Sequence, residues 1–275
     1  MTVTNAVETT MIWGTVSGAS MVGMVISLLL SVVLPIFLGI FIYKKTKAWV
    51  PAFFIGCGIF VGFAMILEQI CHAIVLTVTG SAIRDNIWLY AIYGGLAAAL
   101  FEECGRWIAM TFCLKKHLTR ENALMYGAGH GGIEAFLILG MSSMSNLLTA
   151  AMINGGLMEK TMTALEPAQQ EVTYHQLSVL WTTPAYQFYL APVERISAIA
   201  LQIALSILVY SAVKTGRKLQ LAAAFGLHFA VDFLTVICAS TIPTWALELG
   251  LLLVVAVICV VVYKLVYLSL AEKKV

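Results

Sequence analysis

Charge is scarce in this chain. Asp, Glu, Lys and Arg make up 11% of its 275 residues, while hydrophobic residues make up 61%. Soluble domains carry roughly 25% charged residues, so the composition excludes an ordinary soluble domain and points to a lipid bilayer. Paired cysteine motifs are also missing. Cys57, Cys71, Cys104, Cys113, Cys238 and Cys259 all fall in apolar stretches, with no CxxC and no pairing pattern. They read as small hydrophobes rather than as a disulfide or metal framework. The net charge is +2, and the basic residues are scattered over short loops, which excludes a nucleic-acid partner. There is no internal repeat, no low-complexity segment and no basic n-region of a cleavable signal in residues 1–20.

What the chain does have is apolar runs of the ~20 residues that a spanning helix needs. Seven are expected, at about 22–43, 50–76, 87–114, 122–143, 193–213, 219–240 and 244–270. The fold class is therefore all-α: a polytopic transmembrane helix bundle forming one integral membrane domain over 1–275. Alternating the spans puts Lys44, Lys45, Lys47, Lys115, Lys116, Arg120, Lys214, Arg217, Lys218, Lys264, Lys273 and Lys274 on one side. The Lys- and Arg-rich side is the cytoplasmic one, so the N-terminus is expected outside and the C-terminus inside. The single long connection, 144–192, is expected to be an external loop with short interfacial helices. Its apolar piece 147–157 and its aromatics Trp181, Tyr186, Phe188 and Tyr189 suit the membrane surface.

Polar residues inside the spans carry the functional signal. The third span contains LFEECGR, with Glu102, Glu103 and Arg106 within five residues. Each charge at membrane depth costs at least ~2.5–3.5 kcal/mol on insertion scales and requires a partner or a purpose. The fourth span carries Tyr126, His130 and Glu134, and the sixth carries His228 and Asp232. Each His precedes its carboxylate by four residues, so the pair shares a helix face. Counted from the basic ends at 1.5 Å per residue, all these groups fall in one layer, ~15–21 Å deep. Gly127, Gly129, Gly131 and Gly132 surround His130 and are expected to bring the fourth span against the third. Glu68 and His72 read as a structural pair, Glu194 and Arg195 as an interface ion pair, and Gln202 as an extra hydrogen bonder able to reach the active layer.

Two Glu, two His, an Arg and further carboxylates in a semi-dry cavity suit hydrolysis. A carboxylate can take a proton from water, and imidazoles can hold a metal or an oxyanion. Arg106, one turn from Glu102, can keep a carboxylate ionised and oriented. Glu134 and Asp232 can orient imidazoles or fix neighbouring helices. His130, His228 and one Glu would make a three-ligand site for a divalent metal such as zinc, and a metal-free route with Glu102 as base stays equally open. HExxH, GxSG and GxGD are all absent, which excludes the zinc-helix, rhomboid-like and presenilin-like designs. The competing class is a proton- or ion-coupled transporter using the same charges, against which the lack of an internal repeat counts.

EECGR, YGAGH and HFAVD on successive spans resemble the signature order of the CAAX-prenyl-protease and bacteriocin-processing superfamily with its PrsW relatives. With FEE-x-GR, GHGGIE and H-x-x-x-D, the chain is most similar to the YhfC family of intramembrane metalloproteases. The resemblance implies a helical membrane protease acting on a membrane-associated peptide or protein. It makes Glu102 the water-activating Glu, Glu103 and Arg106 its partners, and His130 and His228 the second- and third-motif histidines. The chain departs from the prenyl-protease pattern in having two residues rather than three between the Glu pair and Arg106. It also carries Tyr126 where Phe is common and Asp232 where many relatives carry Asn.

Overall fold

The computed structural model describes residues 11–270 and is helical throughout, with no strand among the described residues. Lys273 and Lys274, counted above in the charge bias, lie outside the described residues. Among the described residues, seven helices are long and apolar enough to cross a membrane. They are α1 (Gly18–Thr46), α2 (Pro51–Thr79), α3 (Ile87–Cys113), α4 (Arg120–Asn154), α7 (Ala185–Thr215), α8 (Lys218–Ala239) and α9 (Thr244–Tyr267). Two shorter helices, α5 (Leu157–Met162) and α6 (Pro167–Thr182), lie between α4 and α7.

Local chemistry sets the ends. Ser17, Asn86 and Thr119 cap α1, α3 and α4 by accepting hydrogen bonds from first-turn backbone N–H groups. Pro51 opens α2 in a position where its missing N–H has no partner to lose. Gly216, at φ +72°, ends α7 in the left-handed conformation that glycine adopts without steric cost. The side chain of Asn122 accepts from Trp49 N at 2.7 Å and donates to His117 O at 2.7 Å, so it ties the α1–α2 and α3–α4 links together. Four of the described helices contain a wider i→i+5 stretch, at residues 61–68 of α2, 109–113 of α3, 136–140 of α4 and 263–267 of α9; the first ends at Glu68 and the third begins just after Glu134. Such stretches are frequent at functional sites.

The fourth helix runs on to Asn154 instead of ending near residue 143. Ser142, Ser143, Ser145 and Asn146 depress the hydropathy there without breaking the helix. Ser142 Oγ donates back to Ile138 O at 2.5 Å, so its hydroxyl is satisfied locally. The piece 147–157, expected in the external connection, is thus mostly the last turns of α4. At the other end, 185–192 belongs to α7, which holds Pro192 inside it. The connection that remains, 155–184, is mostly α5 and α6. Trp13, Tyr174 and Trp181 pack together on its inner side, with ring centroids 5.6–5.8 Å apart.

The glycines of α4 do not bring it against α3, as the sequence suggested. A Cβ at Gly129 would lie 1.9 Å from Phe53 O of α2, and one at Gly127 would lie 2.7 Å from Ile203 Cα of α7. Gly132 faces Pro35 of α1. The small residues let α4 sink among α1, α2 and α7 with its backbone in direct contact. The third helix instead packs on α8, where Gly95 meets Phe229. Most of α7 is buried, whereas α8 and α9 leave most of their surface open. The bundle is built around α4 and α7, and α3 and α8 close the site from the side.

Candidate functional site

The polar groups converge on one buried network. Glu102 and Glu103 are adjacent on α3, so their side chains leave the helix about 100° apart and serve two different partners. Glu102 Oε2 lies 2.9 Å from His130 Nε2 on α4. Glu103 Oε1 lies 2.8 Å from His228 Nδ1 on α8. Each carboxylate of the pair thus meets one imidazole from a different helix. Glu102, Glu103, Arg106, His130, Glu134 and His228 are all buried.

Arg106 does not pair with Glu102, one turn away. It donates from Nη1 to both oxygens of Glu103, at 2.8 and 3.1 Å. Both carboxylates lie within reach of Arg106 on the helix surface, at i−4 and i−3, and Glu102 is taken up by His130 and Gln202 instead. This charge-assisted contact, one nitrogen shared between two oxygens, holds Glu103 in place while Nη2 is left for Gln202. Glu103 in turn fixes the imidazole of His228, whose Nε2 lies 3.5 Å from Asp232 Oδ2. His228 is therefore flanked by a carboxylate on each ring nitrogen.

Gln202 on α7 is the hub that the sequence left at the margin. Its Oε1 accepts from Arg106 Nη2, and its Nε2 donates to Glu102 Oε2 at 2.9 Å and to Glu134 Oε2 at 2.8 Å. One amide thereby connects the guanidinium to both carboxylates, which also fixes which end of the amide is oxygen. Arg195 is the second residue that sequence reasoning underplayed. It pairs with Glu194, as expected, and also donates to Glu134 Oε1 at 3.1 Å. The signal for both was their place on α7: Arg195 and Gln202 are seven residues apart, two turns on one face. The ring of His130 is held on its far side by Tyr126, whose hydroxyl lies 3.4 Å from Nδ1, and by the edge of Phe60.

Donor atoms of Glu102, His130 and Glu134 all lie within 4.8 Å of one another, and all three residues are buried. His228, expected beside His130 in a metal site, sits instead with Glu103. Beside this cluster a cavity of about 230 Å³ is lined by Glu102, Glu134, Arg195, Gln202, His228 and Asp232 on its polar side and by Ile138 of α4, Leu201 of α7, Val231 of α8 and Leu251 and Val255 of α9 on its apolar side. Glu68 and His72 form their own pair at 3.2 Å, with His72 Nδ1 2.8 Å from Tyr93 Oη, and line no wall of that cavity.

A family model described as YhfC intramembrane metalloprotease matches residues 30–259. The chain is 41% identical over 222 residues to the uncharacterized membrane protein YhfC of Bacillus subtilis (strain 168), an alignment covering 78% of this chain and 83% of that protein. No solved structure matches the chain. The seven apolar helices and this relative together make it a multi-pass membrane protein.

Proposed function

The chain belongs to the YhfC family of intramembrane metalloproteases, and from that premise we propose that it hydrolyses a peptide bond of a membrane-associated substrate in the pocket between α3, α4, α7, α8 and α9. The observation that supports this reading best is the buried Glu102–His130–Glu134 cluster opening onto a cavity. Two carboxylates and an imidazole are a donor set suited to a divalent metal such as zinc, so the residues fit the metal that the family name implies. Bound there, the ion would supply Lewis acidity and an activated water.

The rest of the chemistry falls to the chain itself. Gln202 and Arg195 hold the two carboxylates, Glu102 and Glu134, where they line the cavity, with His130 buried behind Glu102. His228 faces the same cavity, where it hands a proton to the departing amine or binds the oxyanion. Asp232, one turn along α8, steadies that charge. Glu103 and Arg106 keep the imidazole aimed, at one remove from the substrate. Helix walls exclude bulk water, which strengthens each of these contacts. The direct Glu102–His130 hydrogen bond also supports a metal-free variant, in which Glu102 takes the proton from water and the histidines hold the oxyanion. The motif order EECGR, YGAGH, HFAVD supports a wider kinship with the prenyl-protease and PrsW superfamily. The distribution of Lys and Arg supports a cytoplasmic C-terminus.

The test is metal analysis of the purified protein beside a cleavage assay of wild type and Glu102→Gln. Stoichiometric metal with cleavage lost in the variant is the expected result. A metal-free protein that cleaves peptides would move the reading to the glutamate route. Proton or solute flux into vesicles without cleavage would move it to a transporter.

A further inference from the structure

The polar cavity is not closed off from lipid on every side. On the outer face of α8 and α9, near the turn that joins them, lies an apolar cleft of about 230 Å³. It runs from Ile242 and Ala246 at the turn down to Val254. Three side chains, Val231, Thr235 and Leu251, line both this cleft and the polar cavity. They form a thin partition between lipid and the site, and each is only partly buried. The apolar hollow between α1 and α2 and the one between α7 and α9 share no wall residue with the polar cavity.

We propose that the cleft between α8 and α9 is the track on which an extended apolar segment of a membrane-anchored peptide docks, passing Val231, Thr235 and Leu251 to present its backbone to the Glu102–His130–Glu134 cluster. The proposal rests on the proteolytic reading and adds the route and the kind of substrate. An unwound strand is the occupant that presents a scissile bond, because a helix keeps its peptide N–H and C=O groups bonded to one another. Chemistry favours the same occupant. Leu234 and Val254, both about half exposed, offer apolar surface to side chains. The polar cavity just beyond them offers partners to a peptide group that hydrocarbon would leave unsatisfied. A substrate with an apolar stretch beside its scissile bond matches both halves. Gly250 lies on the cleft wall and a Cβ there would meet nothing within 4 Å, so a bulky residue at 250 fills the track without pressing on the bundle.

The test uses Glu102→Gln protein in phosphatidylcholine and phosphatidylglycerol vesicles, so that docking is read without turnover. The probe is a polyleucine peptide of about 20 residues, long enough to span, whose central Pro-Gly pair unwinds the helix beside a benzophenone. Crosslinks are expected within 231–254 and should be suppressed by excess unlabelled peptide. Adding Gly250→Phe should lower their yield at least ~5-fold, a loss of about 1 kcal/mol of docking energy. Gly94→Phe on α3, where a Cβ also meets open space, should leave the yield unchanged. Four results would overturn the proposal: crosslinks on the α1–α2 face, no crosslinks, a yield indifferent to Gly250→Phe, or labelling that competitor peptide does not suppress, which would mean that acyl chains fill the cleft. Cleavage of the same apolar peptide, without the benzophenone, by wild type in the same vesicles is measured separately. Its absence would count against hydrolysis, while the crosslinks alone judge the track.

Discussion

Single side chains decide most of what this site can do. Removing either imidazole–carboxylate contact should be costly: Glu102→Gln and His228→Ala are each expected to lower cleavage at least ~100-fold, the range lost with a positioned acid–base group. Melting in detergent should show both variants still folded, and full activity in either would move the site elsewhere. The sequence alone makes Glu134→Gln milder than Glu102→Gln, since Glu134 lies outside the paired motif. The structure changes that expectation. Glu134 contributes a donor atom to the same cluster as Glu102, so the two variants should lose metal affinity comparably, as isothermal titration would show. Gln202→Leu leaves Arg106, Glu102 and Glu134 each short of a partner. It should cost about 1–3 kcal/mol of stability and weaken metal binding by roughly 10–100-fold, as loss of ligand-orienting contacts does. A drop in melting temperature with metal affinity intact would reduce Gln202 to a packing residue.

At the scale of helices, the sequence was informative about existence and poor about company. Hydropathy located all seven spans, because an apolar run of that length has few other uses in a chain with so little charge. That Glu102, Glu103, His130 and His228 come to one level was also legible, since it needs only a count from a basic end. What a count cannot supply is azimuth. Whether Arg106 meets Glu102 or Glu103, and whether Gly129 faces α2 or α3, depends on how each helix is rotated among its neighbours. Gln202 and Arg195 stayed at the margin for a related reason: their role follows from α7 being the central helix, which its own composition does not announce. The close approach at Gly129 is a direct test of the observed packing. Gly129→Val would drive a side chain into the Phe53 backbone and should cost more than the ~1–3 kcal/mol typical of overpacking. Gly62→Val on α2, where a Cβ meets open space, should cost little by comparison. Equal thermal shifts for the two would contradict the α2–α4 contact.

For the molecule as a whole, orientation is the property most open to direct measurement. In a background free of its native cysteines, Thr241→Cys should react with a membrane-impermeant maleimide added outside intact cells. Lys116→Cys should react only after the cells are opened, and the reverse pattern would invert the topology. The wide stretch at 136–140 joins the site to the far end of the chain. Asn154, at the end of the same helix, accepts from Val16 N at 2.8 Å and donates to Val16 O at 2.9 Å. Dropping one residue from that stretch would let the backbone ladder close as an ordinary helix. Everything beyond it would then swing by about 100°, and the clasp on residue 16 would open while His130 and Glu134 kept their places. A shortened protein of this kind would still load metal yet release residues 11–17 to protease, turning one register slip into a separable readout for the two halves of the helix.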